Sequence, residues 1–247
     1  MSLDRLRYEV QLMGKRVILT PALVMAGFAL LAGLLHYLHT NPARTLSGGL
    51  ELILPIAAGV VVATVISQDP VIELQLTLPR QYHLTGMLRV LLIAAWTTCI
   101  ALLSSGIIVA LNLGFMPQPP HTLPAALEFL MGQLVWLAPL LWLAGCGFCL
   151  ALLLRSRSAS AALLGGIWVL EIIFKDVLAY YAWLRPVLLF PTTLLALVGR
   201  LPQAYFDIWL DTRLEVLGTG LALCLIGWLL LRNPEGLLKD SLLSSPF

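Results

Sequence analysis

Glu171 and Lys175 stand four residues apart at the end of an apolar run, with Asp176 beside them. Ionisable groups at membrane depth are costly and often functional. A Glu four residues before a Lys on a helix can also simply neutralise itself. The two are expected to form a polar pair in the membrane, first as structure and second as a contact at a hinge. Cys146 and Cys149 form a C-x-x-C inside another apolar run. Redox work needs an exposed, activated thiolate, so both read as small packing residues. His36 and His39, three apart, could share a metal, but no further ligand is near in sequence. No metal site is expected.

These residues sit in a chain built for hydrocarbon. Of its 247 residues 60% are hydrophobic and 11% charged, where a soluble domain carries roughly 25% charged residues. The mean hydropathy is +0.92. The 15 Lys and Arg are scattered and form no basic patch of the kind nucleic acid requires. All four cysteines lie in apolar runs, against a secreted disulfide framework. The charged N-terminus does not read as a cleavable signal peptide.

Runs long enough to cross a membrane, about 20 residues each, fall near 17–38, 50–67, 87–113, 125–154, 159–174 and 214–231, the fifth being short. The expected fold is therefore an all-α integral membrane protein of six transmembrane helices, a single domain over 1–247. Leu3, Leu6, Val10 and Met13 share one helical face, so 1–16 reads as an amphipathic helix in the headgroup layer. With the N-terminus in the cytoplasm, ten Lys or Arg fall inside and five outside. That bias places both termini in the cytoplasm and the chain, multi-pass, in the inner (plasma) membrane.

The connection over 68–86 carries the most pattern. Asp69 is a plausible N-cap, Pro70 is allowed in a first turn, 71–78 can form a short helix, and Pro79 stops it. Glu73, Leu76, Leu78, Pro79 and Arg89 resemble the ABC-2 permease family. There an acidic residue precedes a Leu-rich stretch ending in Pro, and a Lys or Arg follows as the next helix begins. The run 145–167, with its tight basic turn at Arg155 and Arg157, is similar to the fourth helix, turn and fifth helix of the same family.

The resemblance implies that 68–86 is a cytoplasmic coupling helix between helices 2 and 3. It would dock on an ATPase through Asp69, Glu73, Leu76, Leu78, Pro79 and Arg89. It also implies that 175–212 holds re-entrant helices forming an outer gate between helices 5 and 6, broken at Pro186, Pro191 and Pro202. Tyr180, Tyr181, Trp183, Tyr205 and Phe206 crowd this segment. They read first as interfacial anchors and second as gate residues.

The chain has no G-x-x-x-x-G-K-[ST]. No cofactor or catalytic residue is expected in it. ATP and Mg would be bound by two copies of a partner ATPase, and a second permease subunit would complete the transporter. Gly27, Gly33, Gly59, Gly165 and Gly166 are candidates for helix contacts, within one subunit or between two. The expected function is ATP-driven export of an amphipathic or lipid-like substrate, with membrane lipids as the surroundings and no nucleic acid. Two other classes stay open. One is an intramembrane enzyme acting on a lipid-embedded substrate, although Leu103 before Ser104-Ser105-Gly106 breaks the G-x-S-G of a rhomboid-type protease. The other is a non-transporting membrane scaffold.

Overall fold

The computed structural model describes residues 13–40, 42–67, 82–111, 117–120, 124–197 and 199–232. Most of the expected interfacial helix, and the expected coupling segment from 68 to 81, lie outside the described residues.

The described chain is almost wholly helical. In order come α1 (Lys15–Tyr37), α2 (Ala43–Ser67), α3 (Tyr82–Ala110), α4 (Ala125–Leu154) and α5 (Arg157–Ile173). Then follow two short pieces, α6 (Lys175–Tyr180) and a 3-10 turn (Ala182–Val187), then α7 (Pro191–Leu194) and α8 (Gln203–Arg232). Five helices, α1 to α4 and α8, are long and apolar enough to cross a bilayer. This makes the chain a helical, multi-pass membrane protein. The expected fifth span, α5, has 17 residues, and a bend at Phe174 separates it from α6.

Ser156 opens α5, its hydroxyl accepting from the Ala159 N–H, and Arg155 before it takes a left-handed backbone conformation. That is the tight basic turn the sequence shows. The final helix begins at Gln203, not near 214. Asp207, Asp211 and Arg213 depress the hydropathy there, but the backbone stays helical, and Gln203 donates to Asp207 one turn on at 2.7 Å.

The centre of the bundle is α4, 67% buried along its most apolar stretch, against 22% for α1 and α8. Lipid offers helices no hydrophobic gain on association, so close backbone approach and dispersion hold such a bundle together. Two glycine contacts supply it. A Cβ on Gly147 of α4 would lie 2.4 Å from the carbonyl oxygen of Gly59 on α2. A Cβ on Gly220 of α8 would lie 2.7 Å from the backbone nitrogen of Trp142 on α4. Gly59 therefore packs inside the subunit, while Gly27, Gly33, Gly165 and Gly166 face open space.

One turn of α2, Gly49–Ile53, is a π-turn. Pro55 explains it. Proline has no N–H to give the carbonyl of residue 51, and its ring crowds that carbonyl. The turn widens instead, and the Leu54 N–H reaches back to the oxygen of Gly49.

On the side where α5 ends and α8 begins, residues 188–192 turn inward. Leu188, Leu189, Phe190 and Thr192 are all buried. A two-residue parallel pairing of Pro117–Gln118 with Gly199–Arg200 ties the α3–α4 connection to the stretch just before α8.

Candidate functional site

The inward turn of 188–193 presents backbone N–H groups to the bundle interior, where no water or lipid can receive them. Each unmet donor would cost on the order of several kcal/mol in hydrocarbon. Two carboxyl groups, from α5 and α2, meet them. Glu171, near the end of α5, accepts through Oε1 from the N–H of Leu189 and from that of Phe190 at 3.2 Å. Pro191 has no N–H and opens α7, which suits its fixed φ. Glu51, carried on the π-turn of α2, then caps α7 from another helix. Its Oε1 accepts from the Thr192 N–H at 3.0 Å and its Oε2 from the Thr193 N–H at 2.5 Å. Carboxylates favour such positions because the first helical N–H groups lack internal acceptors.

Arg213 of α8 closes the cluster. Its Nη2 is ion-paired with Glu51 Oε1, and both side chains are 0% exposed. The same Nη2 donates to Thr192 Oγ1 at 2.9 Å, and Nη1 donates to the Leu189 carbonyl at 2.7 Å. Trp209, one turn earlier, donates from its indole to Thr192 Oγ1 at 3.0 Å. Its ring lies 6.0 Å from the guanidinium. Three helices that are far apart in sequence, α2, α5 and α8, thus grip one short segment. Among the described residues, Glu171 Oε2, Thr193 Oγ1 and Arg213 Nε have no hydrogen-bond partner.

The expected Glu171–Lys175 pair is split. The helix breaks at Phe174, so the two side chains are not held on one face. Glu171 turns to Leu189 and Phe190, and Lys175 Nζ donates to the Leu194 carbonyl at 3.4 Å. Glu171 thus holds the inward segment itself, and Lys175 the end of α7 that follows it.

The aromatic residues of the expected gate segment divide. Tyr180, Tyr181 and Trp183 are exposed and cluster together, the two tyrosines edge-to-face at 5.0 Å. Tyr205 is exposed on the first turn of α8, whereas Phe206 is buried against Trp209 at 5.6 Å between ring centres. Pro186 lies in the 3-10 turn, its carbonyl accepting from Thr219 of α8 at 3.3 Å. Arg89 is buried on α3. Asp69, Glu73, Leu76, Leu78 and Pro79 lie outside the described residues.

Other candidates are occupied by packing. Cys149 donates its thiol to the Leu223 carbonyl at 3.2 Å, holding α4 to α8. Ser105 donates to Gln133 Oε1 at 2.8 Å, an oxygen that also accepts from the Trp136 indole. Ser105 is thus tied into a buried network rather than poised as a nucleophile.

Glu51, Arg213 and Thr192 are missed by reading the sequence for spacing. The usable signal is that an acid inside an apolar span must find an opposite charge. Glu51 lies in the run 50–67 with no base near it in that run.

No protein-family model matches this chain, and no curated protein or solved structure does either.

Proposed function

We propose that the chain is the membrane-spanning permease subunit of an ABC-2 type exporter, with the grip of Glu51, Arg213 and Glu171 on 188–193 acting as a latch for its outer gate. The observation that carries this reading is the latch itself. The segment between α5 and α8 turns into the bundle and is held by ionisable side chains from three helices. Any tilt of α2, α5 or α8 pulls on the same few hydrogen bonds. Packed interiors respond to such a pull by switching between discrete arrangements rather than by gradual deformation. A buried polar network that is only partly satisfied is also weaker than a complete one, which favours release.

In this reading α5 supplies the fifth crossing and α8 the sixth, both termini are cytoplasmic, and 68–86 meets the ATPase. Partner subunits bind ATP and Mg. A second permease copy completes the pathway, and the cargo is amphipathic. The burial of both carboxylates weighs against the alternative of an intramembrane enzyme at this cluster, since a substrate could not reach them.

The test is purification from native membranes under mild detergent, followed by reconstitution. An ATP-binding subunit should co-purify. A cysteine placed at Leu188 should then react faster with a membrane-impermeant maleimide when ATP turns over. A preparation with no ATPase partner and ATP-insensitive labelling would rule the reading out.

A further inference from the structure

Between α1, the start of α2 and α3 lies a cavity of about 440 Å³, within the usual range for ligand sites. Its floor includes Met25, Ala32, Leu46 and Ile108, all buried. Its rim includes Gly33, His36 and Ile107, which are exposed. Along α1 it runs from Met25 to His36, about 16 Å at 1.5 Å per residue. That is close to half of a ~30 Å hydrocarbon core, the depth of one leaflet. It reaches the ends of α1 and α3 that share a side with the latch.

Leu30 and Leu103, next in sequence to the lining residues Ala29 and Ser104, are apolar and 77% and 69% exposed, and the lining residues Gly33 and Ile107 are exposed too. The cavity therefore opens sideways to hydrocarbon. Its polar lining side chains are few. Ser104 spends its hydroxyl on the Ile100 carbonyl at 2.8 Å. His36 stands at the outer end of α1, the height of lipid headgroups.

We infer that this cavity binds one acyl chain of a bilayer lipid, with an ester or phosphate oxygen of its headgroup accepting a hydrogen bond from His36. Depth, lateral opening and apolar floor match a lipid tail. An imidazole at the outer end matches the join between tail and headgroup. The inference depends on the chain's placement in a bilayer and is independent of any ATPase.

The purified protein would be reconstituted in phosphatidylglycerol–phosphatidylcholine vesicles. Each lipid in turn would carry a diazirine on its acyl chain, and cross-linked residues would be read by mass spectrometry. Labelling over 25–33 and 104–111 should exceed that around Leu225, an exposed position on α8, by about fivefold, equivalent to ~1 kcal/mol. Gly33→Leu should abolish the excess, because a side chain there enters open space. Ala29→Leu gives a second filling variant should the first fail to fold. His36→Leu should lower the excess severalfold while leaving the cavity unfilled. Labelling equal to that at Leu225, an excess that survives both filling variants in folded protein, or cross-links to a second copy of the chain would overturn the inference. Loss of the excess in a protein that still binds an ATPase would leave the permease reading intact.

Discussion

Glu51 and Arg213, 162 residues apart in sequence, form an ion pair from which solvent is wholly excluded. Such a pair costs more to break than to replace. Removing one partner strands a buried charge, at about 3–5 kcal/mol. Arg213→Met should therefore lower thermal stability sharply in detergent, as followed by monodispersity on heating. Glu51→Gln keeps an acceptor for Thr192 and Thr193 but removes the charge opposite Arg213. Adding it to Arg213→Met should cost little further. Equal and additive losses would mean that the pair is not a unit.

The second prediction concerns the route by which Glu51 reaches its place. If Pro55 creates the π-turn, Pro55→Ala lets that turn tighten and re-aims Glu51. The substitution should destabilise the wild-type chain although alanine is a far better helix residue than proline, by ~3 kcal/mol in a helix interior. In an Arg213→Met background, where Glu51 has lost its ion-pair partner and keeps only the Thr192 and Thr193 N–H groups, the same change should become neutral or stabilising. A thermal-unfolding cycle over the two positions checks this, and a Pro55→Ala effect of the same sign in both backgrounds would sink it.

How much of this was readable beforehand follows from separation along the chain. Hydropathy marks α1 to α4 because each is one continuous apolar run, and Ser156 after Arg155 marks the start of α5. The start of α8 is hidden because Asp207 and Asp211 make its first turns look like loop, although those turns can face away from the core. Spacing rules reach three or four residues, so they find Glu171 and Lys175 but assign them to each other. They cannot see that both are directed at a backbone segment nearly twenty residues further on, at separations of 18 and 19. Arg213 reads as one of several outside charges for the same reason. Its partner is on a different span.

The third prediction sets two glycines against each other. Gly147→Ala places a Cβ on a backbone oxygen of α2, which cannot move without shifting a whole helix. Overpacking of this kind costs about 1–3 kcal/mol. Gly166→Ala meets nothing within 4 Å, and helix propensity then favours alanine by up to ~1 kcal/mol. The first should lower the unfolding temperature and the second leave it unchanged or raised. A loss at Gly166 comparable to that at Gly147 would show that the face carrying Gly166 is packed in the assembled protein, for instance against a second copy.

The last prediction tests whether the proposed latch and the connection at 68–86 belong to one machine. The proposed stroke enters at 68–86 and leaves at 188–193, and α2 joins the two, since it carries Glu51 near one end and Ser67 at the other. Glu73→Ala and Pro79→Ala act only at the entry point. Each should weaken ATPase association while leaving thermal stability within about 0.5 kcal/mol of wild type. Glu171→Gln acts only at the exit. It should leave ATPase association unchanged, yet raise maleimide labelling at Leu188→Cys in the absence of ATP, because the N–H groups of Leu189 and Phe190 exchange a carboxyl acceptor for an amide. Weakened ATPase binding with Glu171→Gln would point to general damage to the bundle. Full binding and transport in both Glu73→Ala and Pro79→Ala would remove the coupling role from that segment.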